Sequence, residues 1–266
     1  LRQELHNNAK EWYRTRLETA ADRIEYIHHL NESGGTDDLA EVLSSEGHNL
    51  VKSGHTELLG ILRTLEREGF DSRSWCIIHE LRGDILSIQG RWDEAEREYD
   101  AAIPIARKNS MAEELSRLLS ARADIAVKRG AMDDALELHR KALEIQIKLR
   151  DSVGAARSYN NMGYIFRRRR DTRHALEVYS NVEKLLDSED HPELCEARIR
   201  LAAAYLEMGE LDRAREHALR AFEETEVGDS DISHARAMAV LGRFYARAKE
   251  NELAMQYYSK ALEILS

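Results

Sequence analysis

The chain has 266 residues with 49 acidic and 39 basic side chains, which gives a formal net charge of −10 at pH 7. Such a surface would repel a polyanion over most of its area, so the composition argues against general nucleic-acid binding. Two prolines and 14 glycines are few enough for a helix-rich protein. No run approaches the roughly 20 apolar residues of a membrane helix, and no signal peptide opens the sequence. We therefore expect a cytoplasmic protein without a membrane partner.

Residues 1–70 are predicted to form two irregular helical hairpins. Apolar and aromatic residues at helical spacing mark the two helices of the first hairpin. They are Leu5, Ala9, Trp12 and Tyr13, followed by Ala21, Ile24, Ile27, His28 and Leu30. The second hairpin has Gly47, Gly54 and Leu59 where later hairpins have a small residue, a turn glycine and an alanine.

Residues 71–266 repeat one pattern five times. A glycine or alanine is followed twelve residues later by an alanine, and the second members of these pairs lie 40, 40, 39 and 40 residues apart. The pairs are Gly83 and Ala95, Ala123 and Ala135, Gly163 and Ala175, Ala202 and Ala214, and Gly242 and Ala254. A fixed period near 40 indicates stacked copies of one structural unit.

Each of the five copies is predicted to be a helical hairpin. Together with the two irregular hairpins of residues 1–70, this gives seven hairpins. Between its two helices a glycine, in Gly90, Gly130 and Gly209, permits the positive φ that ends a helix. Four residues after each alanine stands a second-helix residue, in most copies a large one: Tyr99, His139, Tyr179, Ala218 and Tyr258. We expect the small first-helix residues to leave room for these side chains, because the two helices must approach closely.

Prolines and cysteines fit this scheme. Pro104 is expected to bend or end a second helix, because its ring clashes with the preceding turn. Pro192 is expected in the first turn of a helix, where a missing N–H costs nothing. Cys76 and Cys195 each stand seven residues before the small residue of their hairpin. They are therefore predicted to be buried packing residues rather than a disulfide.

We found no motif for catalysis or for a bound cofactor. The sequence lacks the glycine-rich loops that hold phosphates and dinucleotides, and no serine, cysteine or carboxylate is marked by its spacing as a nucleophile or acid–base pair. No two histidines stand four apart on a helix, and neither cysteine has a Cys-x-x-Cys partner. His28 and His29 are expected to turn to different helix faces. The sequence therefore predicts no enzyme, no metal site and no cofactor.

A ligand is expected on the inner stripe of the first helices. In stacked hairpins these helices line one side, and arginines concentrate on their exposed positions, so we predict a locally positive groove for carboxylate or phosphate. The candidate residues are Arg117, Lys128, Arg157, Asn160, Asn161, Tyr164, Arg167, Arg168, Arg236 and Arg243. Two explanations of these arginines that involve no ligand stay open. Arg167–Arg170 would be expected at a helix end in any case, and the arginines from 236 onward could pair with acidic second helices.

The pattern of two small residues followed by Ala-x3-Tyr-x2-Ala resembles that of tetratricopeptide-repeat (TPR) proteins. This resemblance implies an all-α fold, a TPR α-solenoid formed as a superhelix of about seven antiparallel helix pairs. The period exceeds the usual 34 residues and is similar to that of repeats in signalling ATPases, kinesin light chains and bacterial peptide-pheromone receptors. In peptide-binding members an asparagine holds the peptide backbone, and Asn161 matches it. Leu81, Ala121, Arg200 and Val240 stand at the equivalent places.

The N-terminal part resembles the start of the repeat arm in signal-transduction ATPases with numerous domains, the STAND class. The resemblance rests on the run from His6 to Tyr13, on Ala21, and on Ile27-His-His-Leu30. It implies a sensor arm that binds an inducer, or else a protein or peptide partner. The arginines favour an acidic partner. The resemblance also implies an intramolecular contact with an ATPase domain. Because the sequence begins with leucine inside a helical pattern, we expect that domain to lie outside the present chain.

Other functions remain open from the sequence. The chain could be a stand-alone TPR scaffold that binds a partner's tail, or a regulator similar to the pheromone receptors. RNA binding through the arginines would require an affinity that depends strongly on salt.

Overall fold

The computed structural model describes residues 2–15, 17–186, 191–226 and 231–266. Within these ranges it contains fourteen α-helices and no strand. The helices are α1 (Arg2–Arg14), α2 (Ala20–Ser33), α3 (Thr36–Lys52), α4 (Leu58–Thr64), α5 (Ser72–Ile88), α6 (Trp92–Lys108), α7 (Ala112–Lys128), α8 (Met132–Leu149), α9 (Ser152–Arg168), α10 (Thr172–Leu185), α11 (Pro192–Met208), α12 (Leu211–Glu226), α13 (Asp231–Arg247) and α14 (Asn251–Leu265). None of them is long and apolar enough to cross a membrane.

Contacts divide the chain into two compact units, Leu1–Leu138 and His139–Ser266. Hairpins are formed by α1 with α2 and α5 with α6 in unit 1, and by α9 with α10, α11 with α12 and α13 with α14 in unit 2, whereas α3 and α4 both pack against α5. The all-α fold class of a TPR α-solenoid is therefore confirmed in both units. The expected boundary between irregular and regular hairpins, after residue 70, stays a prediction.

The turn between the two helices of a hairpin is formed as the glycine pattern predicts. Gly90, Gly130 and Gly209 have φ values of +72°, +81° and +79°. In the hairpins that lack this glycine, Arg170 and Lys249 adopt the same left-handed conformation, with φ of +61° and +64°. The backbone geometry of the turn is thus kept even where a side chain makes it less favourable.

The close approach of the paired helices depends on glycine. A Cβ atom at Gly83 would lie 2.5 Å from Cε1 of Tyr99, and one at Gly242 would lie 2.7 Å from Cε1 of Tyr258. Gly163 meets the Tyr179 ring in the same way. These overlaps confirm that a second-helix ring fills the space that the absent side chain leaves.

A glycine in the irregular part of unit 1 receives a leucine from the following hairpin. The small residue here is Gly47 of α3, and a Cβ atom at this position would lie 2.6 Å from Cδ1 of Leu81 on α5. Leu39, Leu43 and Leu62 are buried in the same core. α4 has only seven residues, so this hairpin is shorter than the regular ones.

The two prolines differ from each other in effect. Pro192 begins α11, as predicted, and the His191 ring caps the helix by accepting a hydrogen bond from the Glu193 N–H. The alternative that Pro104 ends α6 is wrong, since the helix continues to Lys108. Pro104 has no N–H to donate to the Asp100 carbonyl, and both residues are exposed, so this helical hydrogen bond is missing on the exposed side of α6.

Replacing Gly83 by alanine should overpack the first regular hairpin. We expect Gly83→Ala to lower the free energy of unfolding by about 1–3 kcal/mol, measured by urea denaturation. In a Tyr99→Ala background the same change should be neutral or stabilising by up to ~1 kcal/mol, because alanine is the better helix former. Gly60→Ala is the matched control, since a Cβ atom at this exposed position of α4 meets nothing within 4 Å. Equal costs in both backgrounds would contradict the packing argument.

The two cysteines should be unreactive in the folded protein. Both are buried and free, with Sγ 3.9 Å from the Ala102 carbonyl oxygen for Cys76 and 4.0 Å from that of Ala221 for Cys195. Burial raises the pKa of the Cys76 thiol to about 12 and that of Cys195 to about 11. At pH 8 a disulfide reagent should therefore label neither cysteine until denaturant is added, and then label two thiols per chain. Rapid labelling without denaturant would contradict their burial.

Candidate functional site

The first helices of neighbouring hairpins lie side by side within each unit. In unit 2, α11 packs against both α9 and α13, so these three first helices are neighbours. We call this surface the first-helix face of unit 2. It carries Arg157, Asn160, Tyr164 and Arg167 of α9, Glu193, Glu196, Arg200 and Glu207 of α11, and Arg236, Arg243 and Arg247 of α13.

Two of the predicted site residues tie α9 to the first turn of α11. Arg157 donates hydrogen bonds from Nε and Nη2 to Glu193 Oε1, at 3.0 and 2.7 Å. Asn160 donates from Nδ2 to the Glu193 carbonyl oxygen at 2.9 Å. Asn160 is only 3% exposed, so the expectation that its amide projects from the face is wrong. Its Oδ1 is buried and accepts no hydrogen bond from the described residues.

Arg200 is the central cation of this face, and it was missing from the predicted site. Its guanidinium lies 5.6 Å from the Tyr164 ring centre and 6.0 Å from that of Tyr179. It also donates to Glu196 and to the Asn160 carbonyl oxygen. The four-residue spacing from Glu196 to Arg200 is a helical ion-pair signal. The repeat register hid it, because Arg200 stands where a peptide-binding asparagine is expected.

Glu196 joins α11 to α13. Arg236 of α13 donates to both of its carboxylate oxygens, one bond being 2.8 Å long. Burial raises the Glu196 pKa, but the hydrogen bond from Arg236 and the charge of Arg200 outweigh it, so the pKa lies below its usual value. The alternative that Arg236 pairs with an acidic second helix is therefore wrong. Its partner is the same face of the neighbouring first helix.

The positive charge expected along this face is partly neutralised. Arg167 donates to Glu207 of α11, in addition to the pairs of Arg157 and Arg236 described above. Asn161 is half-buried, whereas Arg168 is exposed. Carboxylates of a neighbouring hairpin thus compensate the arginines on which the predicted groove depended most.

A surface pocket of about 340 Å³ opens at the α13 side of the face. It is lined by Leu206, Arg243, Ala246, Arg247 and Tyr258. Both arginines are exposed, and no carboxylate in the described ranges pairs with either of them. The pocket therefore combines two available guanidinium groups with apolar walls.

In unit 1 the predicted site residues Arg117 and Lys128 are hydrogen-bonded to other side chains of the unit. Arg117 donates two hydrogen bonds to Glu80, at 2.9 and 3.1 Å, and Glu80 also lies 3.4 Å from His48. Burial favours the neutral form of Glu80, but the hydrogen bonds from His48 and Arg117 outweigh it and lower the pKa. Lys128 donates to the Ser87 hydroxyl at 2.7 Å. Arg117 and Lys128 therefore already have hydrogen-bond partners within unit 1.

A neighbouring carboxyl in unit 1 titrates differently. Burial raises the pKa of Asp84 to about 6, although the Tyr99 hydroxyl donates a hydrogen bond to its Oδ1 at 2.7 Å. The negative charge of Glu80 adds to the increase. Asp84 therefore accepts a proton at a higher pH than an ordinary aspartate does.

The first hairpin contains a histidine cluster that the sequence did not predict. His6 of α1 meets His28 and His29 of α2, with ring centres 5.9 and 5.1 Å away. The rings of His28 and His29 are themselves 5.4 Å apart, with an interplanar angle of 55°. Neighbouring helix positions differ by about 100°, and His6 lies where both rings can reach it. Burial, together with the nearby His28 and His6, lowers the pKa of His29.

Family models recognise part of the chain directly. Two models, each described as tetratricopeptide repeat, match residues 114–188 and 235–264. No curated protein matches the sequence.

Solved structures show the same fold at low sequence identity. A STAND protein with a tetratricopeptide repeat sensor from Pyrococcus horikoshii superposes with a TM-score of 0.73 at 17% identity, covering 99% of this chain and 43% of that one. RapI in its apo form gives a TM-score of 0.67 at 12% identity, with coverage of 85% and 97%. NprR in complex with its cognate peptide NprX gives 0.61 at 12% identity, with coverage of 98% and 78%. With the repeat geometry of both units, these matches establish that the chain contains tetratricopeptide repeats.

Proposed function

We propose that this chain is a non-catalytic recognition domain that binds an acidic segment of a protein or peptide on the first-helix face of unit 2. The observation that carries the proposal is the pocket in which Arg243 and Arg247 stand beside Leu206, Ala246 and Tyr258. A planar guanidinium can hold a carboxylate through two parallel hydrogen bonds. The apolar lining adds contact area for the side chain that carries the acid.

The pairing of the other arginines directs the acid to this pocket. Arg157, Arg167 and Arg236 already bind carboxylates of α11, so a partner's acid would have to displace an internal one there. Arg243 and Arg247 need no such exchange with any described residue. The main anchor is therefore proposed on α13 rather than on α9, where the sequence alone placed most of it.

A bound segment would continue along α11 toward α9. There it meets the Tyr164 ring, which is 39% exposed and lies against Arg200. An exposed aromatic ring is a common anchor in peptide recognition. Asn161 and Arg168 border this end of the face. Arg117 and Lys128 in unit 1 remain predicted ligand contacts. We expect each to contribute less to affinity, since each already has a hydrogen-bonded partner.

We further propose that the domain is the sensor arm of a STAND-type signalling ATPase in the cytoplasm. The similarity to a STAND protein with a tetratricopeptide repeat sensor, the STAND-like run from His6 to Tyr13, and the free buried cysteines support this role. A ligand that holds α9, α11 and α13 together would change the angle between hairpins and so alter contacts with the ATPase domain. A phosphate-binding loop in the upstream reading frame would favour this role over a stand-alone scaffold or a pheromone-receptor-like regulator.

The pocket should discriminate carboxylates from amides. On an array of degenerate twelve-residue peptides, we expect the purified chain to be retained by peptides with Asp or Glu at a fixed position and not by their Asn or Gln counterparts. Arg243→Ala and Arg247→Ala should each weaken retention by about tenfold or more, since a hydrogen bond to a charged group contributes about 1.5–3 kcal/mol. Titration of the best acidic peptide would give the affinities.

Arg220→Ala is the matched control. This arginine lies on the second helix α12, is half-exposed, and pairs with Glu216 one turn away, so its loss should leave peptide affinity unchanged. Equal retention of acidic and amide peptides, or full affinity in both pocket variants, would remove the acidic-segment proposal.

A further inference from the structure

The three histidines of the first hairpin lie in ligand-like geometry. One ring nitrogen from each of His6, His28 and His29 can be chosen so that all three lie within 4.8 Å of one another. Nδ1 of His6 and Nδ1 of His29 are 2.8 Å apart. Two imidazole nitrogens bound to one zinc ion at about 2.0–2.1 Å stand about 3.3 Å apart in a tetrahedral site. The His6 and His29 nitrogens would have to separate by about 0.5 Å to meet this spacing, and the third nitrogen would have to approach from a distance of at most 4.8 Å.

We propose that His6, His28 and His29 form a divalent transition-metal site that takes Zn²⁺. Three imidazoles are a ligand set that zinc accepts, with water or another group in the fourth position. Imidazole nitrogen also suits copper and nickel, whereas magnesium and calcium prefer oxygen. The site would link α1 to α2.

The surroundings hold the rings as a metal site requires. Tyr13 stacks on His29 at 5.6 Å with an interplanar angle of 27°, and the His6 side chain is only 16% exposed. On the far side of the His6 ring, Nε2 lies 3.9 Å from Glu32 Oε2. A carboxylate behind a metal-bound imidazole orients the ring and strengthens its donor nitrogen. With Nδ1 of His6 toward the ion, Glu32 stands at this outer position.

The first hairpin lacks the glycine–tyrosine packing that three of the regular hairpins use. No glycine in α1 or α2 receives a tyrosine ring, since these helices contain none. α1 also leaves Leu5 and Trp12 exposed. A metal bridge between one residue of α1 and two of α2 would stabilise the pairing of these helices, because an ion that binds only the folded site shifts the equilibrium toward it.

Titration of the full, chelator-treated chain with ZnCl₂ alone tests the site. We expect one tightly bound Zn²⁺ per chain and a rise in the thermal unfolding midpoint on zinc addition. His6→Asn and His28→Asn, one on each helix, should each weaken zinc affinity at least about a hundredfold and abolish the thermal shift. Glu32→Gln should weaken it by about 10–100-fold.

His55→Asn is the control. His55 lies in unit 1 at the α3–α4 turn and contacts Glu57, so its loss should leave zinc binding unchanged. Circular dichroism would establish that each variant keeps its helices. Absence of zinc uptake by the unaltered chain would overturn the proposal whatever the variants do. So would zinc binding that persists at full affinity in folded His6→Asn and His28→Asn.

Discussion

The fit of a second-helix side chain into the space beside a small first-helix residue fixes each regular hairpin, and in three of the five that small residue is glycine. Three times a tyrosine ring occupies the position that a Cβ atom would fill, as at Gly83 and Tyr99. Where the first helix has Ala202 instead, the residue at the same register of the second helix is Ala218, and both are buried. The size of one residue thus compensates for the size of the other. This constraint sets the rotation of the two helices about their axes.

Fixed rotation explains why charges meet between hairpins. Arg236 and Glu196 are 40 residues apart in sequence, and Arg117 and Glu80 are 37 apart, close to one repeat. Exposed ion pairs contribute about 0–1 kcal/mol each, and the desolvation of a buried carboxylate such as Glu80 offsets much of what its pair gains. The buried alanine and leucine core therefore accounts for most of the stability, whereas the ion pairs decide which charges remain for a partner. On the first-helix face of unit 2 these are Arg243 and Arg247.

The two proposed sites use different parts of the fold. The acidic-segment site uses the regular face, where neighbouring first helices lie side by side and a long ligand can cross several of them. The zinc site belongs to a single hairpin, in which His6 of α1 faces His28 and His29 of α2. The first site would recognise a partner, and the second would hold together a hairpin that has no glycine to bring its helices close.

The sequence by itself determined the period, the hairpin turns, the small packing residues and the burial of Cys76 and Cys195. Such features follow from backbone conformation and side-chain size, which are local or repeat with the chain. Only the tertiary structure decided that Asn160 is buried, that Arg200 lies between two tyrosines, and that His6 meets a histidine 23 residues away. A long polar side chain chooses its partner by distance in space, and residues one repeat apart or on a facing helix become neighbours only after the helices have packed.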